Sequence, residues 1–480
     1  MKVKELTPEK IQKKELKKQK EIAKWEKEKA RPKRSYYFAY LVFIITLIYA
    51  TDEIASQIGT LMKTEIANDL LAKFGDSSVS ILNIISIIGV PFQAIGLLYR
   101  PLADRLGRKK FLIINTFGMS FAMLVIFLSN NIFLYFIGAV LVQFFIPHDM
   151  HVVYIMESAP SKHRARVYST IKFFANMSVM LVPVLRRMLM AEASEWRNVY
   201  LIPAIVGLVT SFIAIMFARE TDAFIDSRLK HLRKTEEELM QEKLEEKAKN
   251  AQGGLIPAFK FAMKHKQLRW LFITATLANF GFIASIDYQV IMSYGYAESI
   301  YNSFTQEIMD LVSVGPVTAA LFLFPVGCSV AQVIMGFISD SKGRKTAALV
   351  TAFDCLVCFI GFWLGAKFNW SPAIVGLLCG GFVGSFYSTN DVLIMMIGES
   401  APTNLRSSTM AAEFLPVGAG VALSYIISLP LGAILGNQYL GIISICLLVP
   451  GFIAALITLA KKTHDTKGID LDTVTGLEWD

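Results

Sequence analysis

The chain has 480 residues, of which 54% are hydrophobic, with a mean hydropathy of +0.47 and a formal net charge of +9. This composition is too apolar for an ordinary soluble domain. The Lys and Arg residues are concentrated at the two ends and in a few connecting segments. This distribution is typical of the charge bias that orients a membrane protein, and it does not favour a nucleic-acid-binding surface.

The apolar residues come in blocks of about 20, the length that a helix needs to cross about 30 Å of hydrocarbon. In the first half the blocks lie at 36–60, 79–99, 111–129, 132–156, 166–188 and 197–218. In the second half they lie at 268–288, 313–338, 346–366, 372–398, 407–434 and 439–460. Strands of a membrane barrel would instead show short alternating runs, so we predict an all-α integral membrane protein with twelve transmembrane helices.

Charged segments separate and flank these blocks. We predict an N-terminal arm, a first six-helix bundle, a linker, a second six-helix bundle and a C-terminal tail, at 1–35, 36–218, 219–267, 268–460 and 461–480. Lys and Arg crowd the arm, linker, tail and the connections on one side, which predicts that both termini are cytoplasmic. The arm has no apolar core, so the amino end is not expected to be translocated. Arm and linker are expected to be solvated, without a specific partner.

Two phrases recur, once in each half. Glu-Ser-Ala-Pro-x-x-x-Arg occurs at 157–164 and at 399–406. An aspartate precedes each glutamate by eight positions, namely Asp149 and Asp391. Upstream of these lie Asp104-Arg105-Leu106-Gly107-Arg108-Lys109 and Asp340-Ser341-Lys342-Gly343-Arg344-Lys345. Self-similarity on this scale in an apolar chain is typical of transporters built from two related halves.

These phrases carry a resemblance to a known family. The Asp-Arg-x-Gly-Arg-Lys loop resembles the cytoplasmic signature of the major facilitator superfamily. The Glu-x-x-Pro-x-x-x-Arg phrase resembles its sugar-porter and metabolite-symporter branches, as do Arg219-Glu220-Thr221 and the run 465–471. The chain departs from the signature at Arg100, where a glycine is usual, and at Ser341, where an arginine is usual. The resemblance implies two pseudo-symmetric six-helix bundles that rock about a central substrate site.

In that family the motif residues control conformation and do not contact substrate. Three arginines of the Asp-Arg-x-Gly-Arg-Lys loops, Arg105, Arg108 and Arg344, are expected to pair with Glu157 and Glu399 at the ends of spans four and ten. Such pairs are expected to latch the two bundles together when the cytoplasmic side is closed. Setting the topology alone is the alternative role for the cations. The predicted gating residues are Asp104, Arg105, Gly107, Arg108, Glu157, Arg164, Asp340, Gly343, Arg344, Glu399 and Arg406.

Polar residues inside the predicted spans are candidates for the substrate and proton pathway. A carboxylate at the centre of a membrane helix costs at least about 2.5–3.5 kcal/mol, so it normally faces a cavity or a partner. The predicted pathway residues are Asp52, His148, Asp149, Asp287, Asn390 and Asp391. Asp52 matches the position of the proton-titrating aspartate of many sugar porters. As alternatives, Asp52 and Asp287 lie in outer loops, and Asp149 and Asp391 belong to the latch. Lys172 and Glu413 are further candidates for buried charge.

Two longer connections, 60–78 and 289–312, occupy equivalent outer positions in the two halves. The second is rich in tyrosine and is a candidate for part of an extracellular gate, although packing alone explains it equally well. In span ten, Gly380, Gly381 and Gly384 predict close helix approach, because small residues let membrane helices pack tightly.

The substrate remains open. Sugar porters usually carry an arginine early in span four, but residues 132–147 contain no basic residue, and the paired glutamines of span seven are also missing. These departures weaken a hexose assignment. We predict a monomeric importer of a sugar, polyol or organic acid in the plasma (inner) membrane, working by proton-coupled symport. A proton-antiporting exporter of organic cations and a non-transporting membrane sensor are the alternatives.

Enzyme chemistry is not predicted. The sequence has no nucleotide-binding loop, nucleophile constellation or cluster with metal-ligand spacing, so no cofactor and no metal are expected. Cys355 and Cys358 form a CxxC inside a predicted span, where they are expected to be small apolar fillers. The expected partners are therefore a small-molecule substrate, protons and the lipid bilayer, with no nucleic acid.

Overall fold

A computed structural model gives the fold. It describes residues 8–31, 37–99, 107–145, 154, 157–158, 164–235, 238, 241, 255–402 and 405–469. Within these ranges all regular secondary structure is helical. Nine helical stretches in the described part are long and apolar enough to cross a membrane, with mean hydropathies from 1.3 to 2.6, and Ile132–Phe145 is apolar but shorter. The predicted all-α membrane fold is confirmed.

The helices follow the apolar blocks. The arm and first half contain α1 Pro8–Ala30, α2 Tyr37–Leu61, α3 Lys63–Leu70, α4 Ser78–Tyr99, α5 Arg108–Phe127, α6 Ile132–Phe145, α7 Arg164–Ser178, α8 Leu181–Leu189 and α9 Asn198–Phe217. The linker contains α10 Asp222–Arg233 and α11 Leu255–Lys264. The second half contains α12 Lys266–Ala278, α13 Phe282–Ile286, α14 Tyr288–Tyr301, α15 Gln306–Val312, α16 Thr318–Lys342, α17 Arg344–Lys367, α18 Pro372–Ser400, α19 Arg406–Ala412, α20 Phe414–Leu435 and α21 Leu440–Lys462.

Three of the predicted spans are interrupted. Span five breaks between α7 and α8, span seven between α12 and α13, and span eleven at Glu413 between α19 and α20. The two predicted outer connections are also helical, as α3 and α14. Helix α14 is buried, since Val290, Met292 and Tyr296 have no exposed surface. Whether this connection forms part of an extracellular gate stays a prediction.

Spans eight and ten pack backbone against backbone. A side chain at Gly376 would collide with the carbonyl of Ala320, and one at Gly380 would collide with that of Phe324. Gly384 likewise lies against the backbone of α16. The close approach predicted from the glycines of span ten is therefore confirmed for Gly380 and Gly384.

We call the end of the molecule that carries Gly107, Gly343 and the linker the basic side, and the opposite end, with α3 and α14, the far side. Between the two ends, large apolar side chains point outward: Val333 is 53% exposed, Phe353 62% and Ile426 68%. Extended apolar surface is rare on water-soluble monomers, so we assign these side chains of the apolar spans to a lipid-facing belt.

The charged arm has a partner. On the basic side, Trp25 of α1 packs with Phe224, Ile225 and Leu229 of α10 in a small apolar cluster outside the spans. Arg228 of α10 pairs with a glutamate of α1 at 2.8 Å. The expectation that arm and linker are solvated without a specific partner is therefore wrong for these two helices.

Candidate functional site

A cavity of about 170 Å³ lies between the two halves. Helices α2 and α7 line it from the first half, and α16 and α18 line it from the second. Its polar lining residues are Tyr49, Glu53, Gln57, Lys172, Asn176, Gln332 and Tyr387. Its apolar lining residues are Val179, Phe324, Pro325, Cys328 and Val383. A few polar groups converging in an apolar wall are the usual setting of a small-molecule site.

Helical spacing explains the polar wall of the first half. Tyr49, Glu53 and Gln57 are four residues apart, so they lie on one face of α2. Lys172 and Asn176 share a face of α7 in the same way. Since α2 and α7 pack against each other, the two faces together form one side of the cavity.

Glu53 and Lys172 bring opposite charges to this cavity. Both side chains are half-buried. The charge of Lys172 acts on Glu53. Neither side chain, however, makes a hydrogen bond or an ion pair with any residue that the structure describes. Beside them, Asn176 Nδ2 donates to Gln332 Oε1 at 3.3 Å, a contact that joins the two halves.

Asp52, the predicted proton site, lies inside α2 and not in an outer loop. Its side chain is only 4% exposed, and it does not line the cavity, which its neighbour Glu53 does. Successive residues of a helix point about 100° apart, so only one of the two can face the cavity fully. Sequence reasoning missed Glu53. The signal was the four-residue spacing from Tyr49 to Gln57.

Asp391 and Asn390 lie on α18, close to the cavity. Asp391 is exposed and stands one helical turn from the lining residue Tyr387. The charge of Lys172 acts on it across the interface between the halves. The charge of Asp391 in turn acts on Glu413, at the break in span eleven. Asn390 Oδ1 accepts a hydrogen bond at 2.7 Å from Asn279, at the break in span seven.

Asp287 lies on the far side, in a buried ion pair. Lys63 Nζ contacts Asp287 Oδ1 at 2.6 Å, and the Asp287 side chain has no exposed surface. Asn83 Nδ2 donates to Asp287 Oδ2 at 2.9 Å, and Lys63 Nζ also donates to Asn83 Oδ1 at 3.0 Å. Asp287 therefore lies in neither an outer loop nor the cavity lining. It joins the first half to the second.

A second buried pair lies next to it. Arg186 of α8 pairs with Glu65 of α3, and both side chains have no exposed surface. Arg186 also donates to the second half, to Thr318 Oγ1 at 3.1 Å and to the carbonyl of Ser313 at 2.8 Å. Gln289 Nε2 donates to Glu65 Oε2 at 3.3 Å.

We call Lys63, Glu65, Arg186, Asp287 and Gln289 the far-side plug. Its two basic and two acidic side chains balance each other, and its contacts cross between the halves. Buried charges are tolerated only while their partners and hydrogen bonds are in place, so separating the halves here requires these groups to find water. The plug therefore closes the far side of the cavity.

The first repeated motif holds the basic side of the first half. Arg108 Nε contacts Glu157 Oε1 at 3.3 Å, and Thr221 Oγ1 donates to Glu157 Oε2. Glu220 accepts a backbone hydrogen bond from Lys109 at 3.0 Å. Burial raises the pKa of Glu220 above the usual carboxyl range, although hydrogen bonds from the backbone oppose this shift.

The second half repeats this arrangement. Arg344 Nε contacts Glu399 Oε1 at 3.1 Å, and Thr466 Oγ1 donates to Glu399 Oε2. Asp465 Oδ1 accepts a hydrogen bond from the backbone N–H of Arg344 at 3.0 Å. In the first half Glu220 accepts one from the same helix start, at Lys109. Arg344 also contacts Asp340 at 3.2 Å.

Glycine is required at one position in each motif. Gly107 and Gly343 have φ of 109° and 102°, a region that side chains rarely adopt. A side chain at either position would also collide with the motif carboxylate, Glu220 or Asp465. The repeated glycines thus let an acidic side chain cap the helix that follows.

The predicted pairs of Arg108 and Arg344 form, but each lies within one half. Arg108 and Glu157 both belong to the first half, and Arg344 and Glu399 both belong to the second. The expectation that these pairs join the two bundles is therefore wrong for them, whereas their role in gating stays a prediction. Arg406 Nε donates to the carbonyl of Gly398 at 3.0 Å.

Some predicted residues lie outside the described part of the chain. They are Asp104, Arg105, His148 and Asp149, together with the side chain of Arg164. Among the residues that are described, no group of three or more His, Cys, Asp or Glu side chains is arranged to hold a metal ion.

Apolar spans in two related halves, with a central cavity between them, define a multi-pass membrane transporter. The sequence profile of the Major Facilitator Superfamily matches residues 36–415. The chain belongs to this superfamily, whose members are transporters and not enzymes, and it has the family's fold of twelve helices in two bundles.

Solved structures share this fold. The inward open conformation of the xylose transporter XylE from E. coli superposes with a TM-score of 0.62 and 18% identity, covering 93% of this chain and 100% of that chain. The nucleoside transporter NupG superposes with a TM-score of 0.63 and 11% identity, covering 88% and 99%.

Curated relatives match in sequence over a shorter stretch. A facilitated glucose transporter homolog of Caenorhabditis elegans is 28% identical over 144 residues, which is 28% of this chain and 26% of that protein. The human solute carrier family 2, facilitated glucose transporter member 4, is 29% identical over 109 residues, 22% of this chain and 21% of that protein. The matched part thus spans about a quarter of the relatives' length.

Proposed function

We propose that this protein is a secondary active transporter that imports a small polar organic solute by alternating access. The observation that carries the proposal is the cavity between the halves, with both halves supplying polar lining residues and the far-side plug closing one end. A solute enters from the far side when the plug separates, and it leaves toward the basic side when the plug forms again. A sugar, a polyol and an organic acid are the candidate classes.

Proton coupling is the second part of the proposal. Asp391 is the predicted carboxylate best placed for it, because it is exposed at the interface, near the cavity, and within reach of the charge of Lys172. Asp52 is the competing candidate, since its position matches that of the sugar-porter aspartate. A carboxylate that releases its proton on only one side of the membrane links solute movement to the proton gradient.

Orientation and location complete the proposal. The linker and the repeated basic motifs share one side, and short connections rich in Lys and Arg remain in the cytoplasm. We therefore assign the basic side and both termini to the cytoplasm, and the protein to the plasma (inner) membrane as a monomer.

The test is solute-driven proton uptake into proteoliposomes. We expect a solute that drives proton entry in the native protein to accumulate under an inward proton gradient. Asp391→Asn should abolish accumulation yet keep counterflow exchange, because exchange requires no net proton transfer. Asp354→Asn is the matched control. Asp354 lies inside a span, but it does not line the cavity, and its Oδ2 accepts a hydrogen bond from Ser385 Oγ at 2.5 Å.

Each outcome assigns the proton differently. If Asp52→Asn loses accumulation and Asp391→Asn keeps it, Asp52 is the residue that carries the coupled proton. Accumulation that survives both changes contradicts coupling through either aspartate. If no solute moves in either direction, the transport proposal itself fails.

One observation favours a second candidate, the export of organic cations. Around the cavity, Glu53, Asp391 and Glu413 bring three carboxylates against the single described cation Lys172. A proton-antiporting exporter would use such an excess to hold a cation. It predicts that an organic cation leaves the vesicles as protons enter, the opposite direction from the importer.

A further inference from the structure

The charges of the cavity lining are the starting point. Among the described lining residues Glu53 is the one acidic side chain and Lys172 the one basic side chain. Neither has a hydrogen-bond or ion-pair partner within the described residues. Two opposite charges that face the same small space, without contacting each other, are complementary to a ligand with the same two charges in reverse.

A neutral sugar fits this pattern poorly. Hydroxyl groups can hydrogen-bond to both side chains, but they neutralise neither charge. A bound ammonium and a bound carboxylate neutralise both, through hydrogen bonds that are shorter and stronger than neutral ones. The lining therefore favours charged groups on the solute over hydroxyls.

The surrounding charges distinguish a solute with one charged group from a solute that carries one positive and one negative group. Asp391 and Glu413 add carboxylates beyond the cavity lining, so a simple organic anion would meet a net negative surrounding. A simple cation would leave the ammonium of Lys172, in the lining itself, facing a like charge. Only a solute with both groups avoids both costs.

We propose that the cavity binds a small zwitterionic solute, with an ammonium group against Glu53 and a carboxylate against Lys172. This inference rests on the proposed transport function and narrows the organic-acid class to amino acids and related compounds. The side-chain amides of Gln57, Asn176 and Gln332 are then available to the remaining oxygen atoms of the carboxylate and to water. The apolar wall, with Phe324 and Val383, faces the carbon chain.

The experiment is a binding panel on the full-length purified protein, read by isothermal calorimetry and by thermal stability. The probes are β-alanine and γ-aminobutyrate, which differ in charge separation, against propionate, propylamine and xylose. We expect the better zwitterion to bind at least about tenfold more tightly than the three matched probes, since each lacks one or both charge-assisted contacts.

Variants locate the site. Glu53→Gln and Lys172→Gln should each weaken zwitterion binding by about tenfold or more. Arg187→Gln is the matched control, because Arg187 is an exposed cation of α8, in the same predicted span, that does not line the cavity. The exchange variant Glu53→Lys with Lys172→Glu should recover binding relative to either single charge reversal, which loss of folding cannot mimic.

Every other result overturns the inference. Such results are xylose, propionate or propylamine binding as tightly as the zwitterions, unchanged binding in both single variants, or no binding of either zwitterion to the folded protein. Counterflow in proteoliposomes separates this failure from that of the transport proposal. Xylose exchange without zwitterion binding rejects only the zwitterion, whereas zwitterion binding without any exchange rejects only the transport.

Discussion

Arg186 is a fully buried cation whose charge is balanced by Glu65. Arg186→Met leaves the Glu65 carboxylate buried without its partner, and breaking such a pair costs about 3–5 kcal/mol. We therefore expect a clearly lower melting temperature in detergent. Arg233→Met is the control, because its pair with Glu26 is 62% and 50% exposed and exposed pairs are worth about 0–1 kcal/mol.

A second variant tests the reason for this loss. Combining Arg186→Met with Glu65→Leu removes both charges, and replacing both members of a buried pair is often neutral. The double variant should thus melt at a higher temperature than Arg186→Met alone. Equal melting temperatures would show that the cost comes from lost packing and not from the unpaired carboxylate.

At the same scale, the sequence located the charged span but not the residue that faces the cavity. Span one carries Asp52 and Glu53 side by side, and only the four-residue spacing from Tyr49 to Gln57 indicates which of them turns inward. Packing against α7 makes that choice, and it selects Glu53 over Asp52. Lys172 was recognised as a buried charge because a lysine inside an apolar block is costly wherever it points.

At the scale of elements, α1 is held to α10 by a single large side chain. Trp25 is 9% exposed and stacks edge-on against Phe224, with ring centroids 5.6 Å apart. We expect Trp25→Ala to release α1, since the remaining contacts to α10 are mostly partly exposed ion pairs of small net value. Trypsin should then cut within residues 8–31 several times faster.

Leu16→Ala is the matched control for that change. Leu16 lies on the same helix but is 52% exposed, so its removal should leave the cutting rate unchanged. A Trp25→Ala protein that resists trypsin as well as the native one would show that the ion pairs alone hold the helix.

The spans themselves were predictable, and their interruptions were not. Blocks of about 20 apolar residues placed the spans to within a few residues at most ends, because hydrocarbon thickness imposes that length. Gly281 lies in the break at 279–281 and Pro416 follows the break at Glu413 by three residues, but proline also lies inside uninterrupted helices, as Pro203 does in α9. Neighbouring helices satisfy the freed backbone groups at the breaks, and such neighbours cannot be identified from one segment alone.

At the scale of the whole molecule, the internal sequence repeat made the ion pairs of the basic side predictable, but not those of the far side. The basic-side motifs occur twice, so the sequence alone identified Arg108 with Glu157 and Arg344 with Glu399. The far-side plug joins residues more than 100 positions apart and has no repeated phrase. Its pairing depends on how the two bundles meet, so only the folded structure identifies it.

Alternating access makes one strong demand, that the far side must open. Thr64 of the first half donates from its backbone N–H to Gln289 Oε1 of the second half at 2.9 Å. We expect cysteines at Thr64 and Gln289, in a protein whose five native cysteines are replaced, to form a disulfide on oxidation and to stop transport until reduction. The disulfide would hold the two halves together.

The control places the same bond within one half. Thr351 and Thr389, whose hydroxyl oxygens lie 3.0 Å apart, both belong to the second half. Rocking changes distances between the halves and leaves distances within a half nearly constant. A disulfide between cysteines at these positions should therefore leave transport intact. Transport that continues through a fully cross-linked Thr64–Gln289 pair would mean that the solute passes without the far side opening.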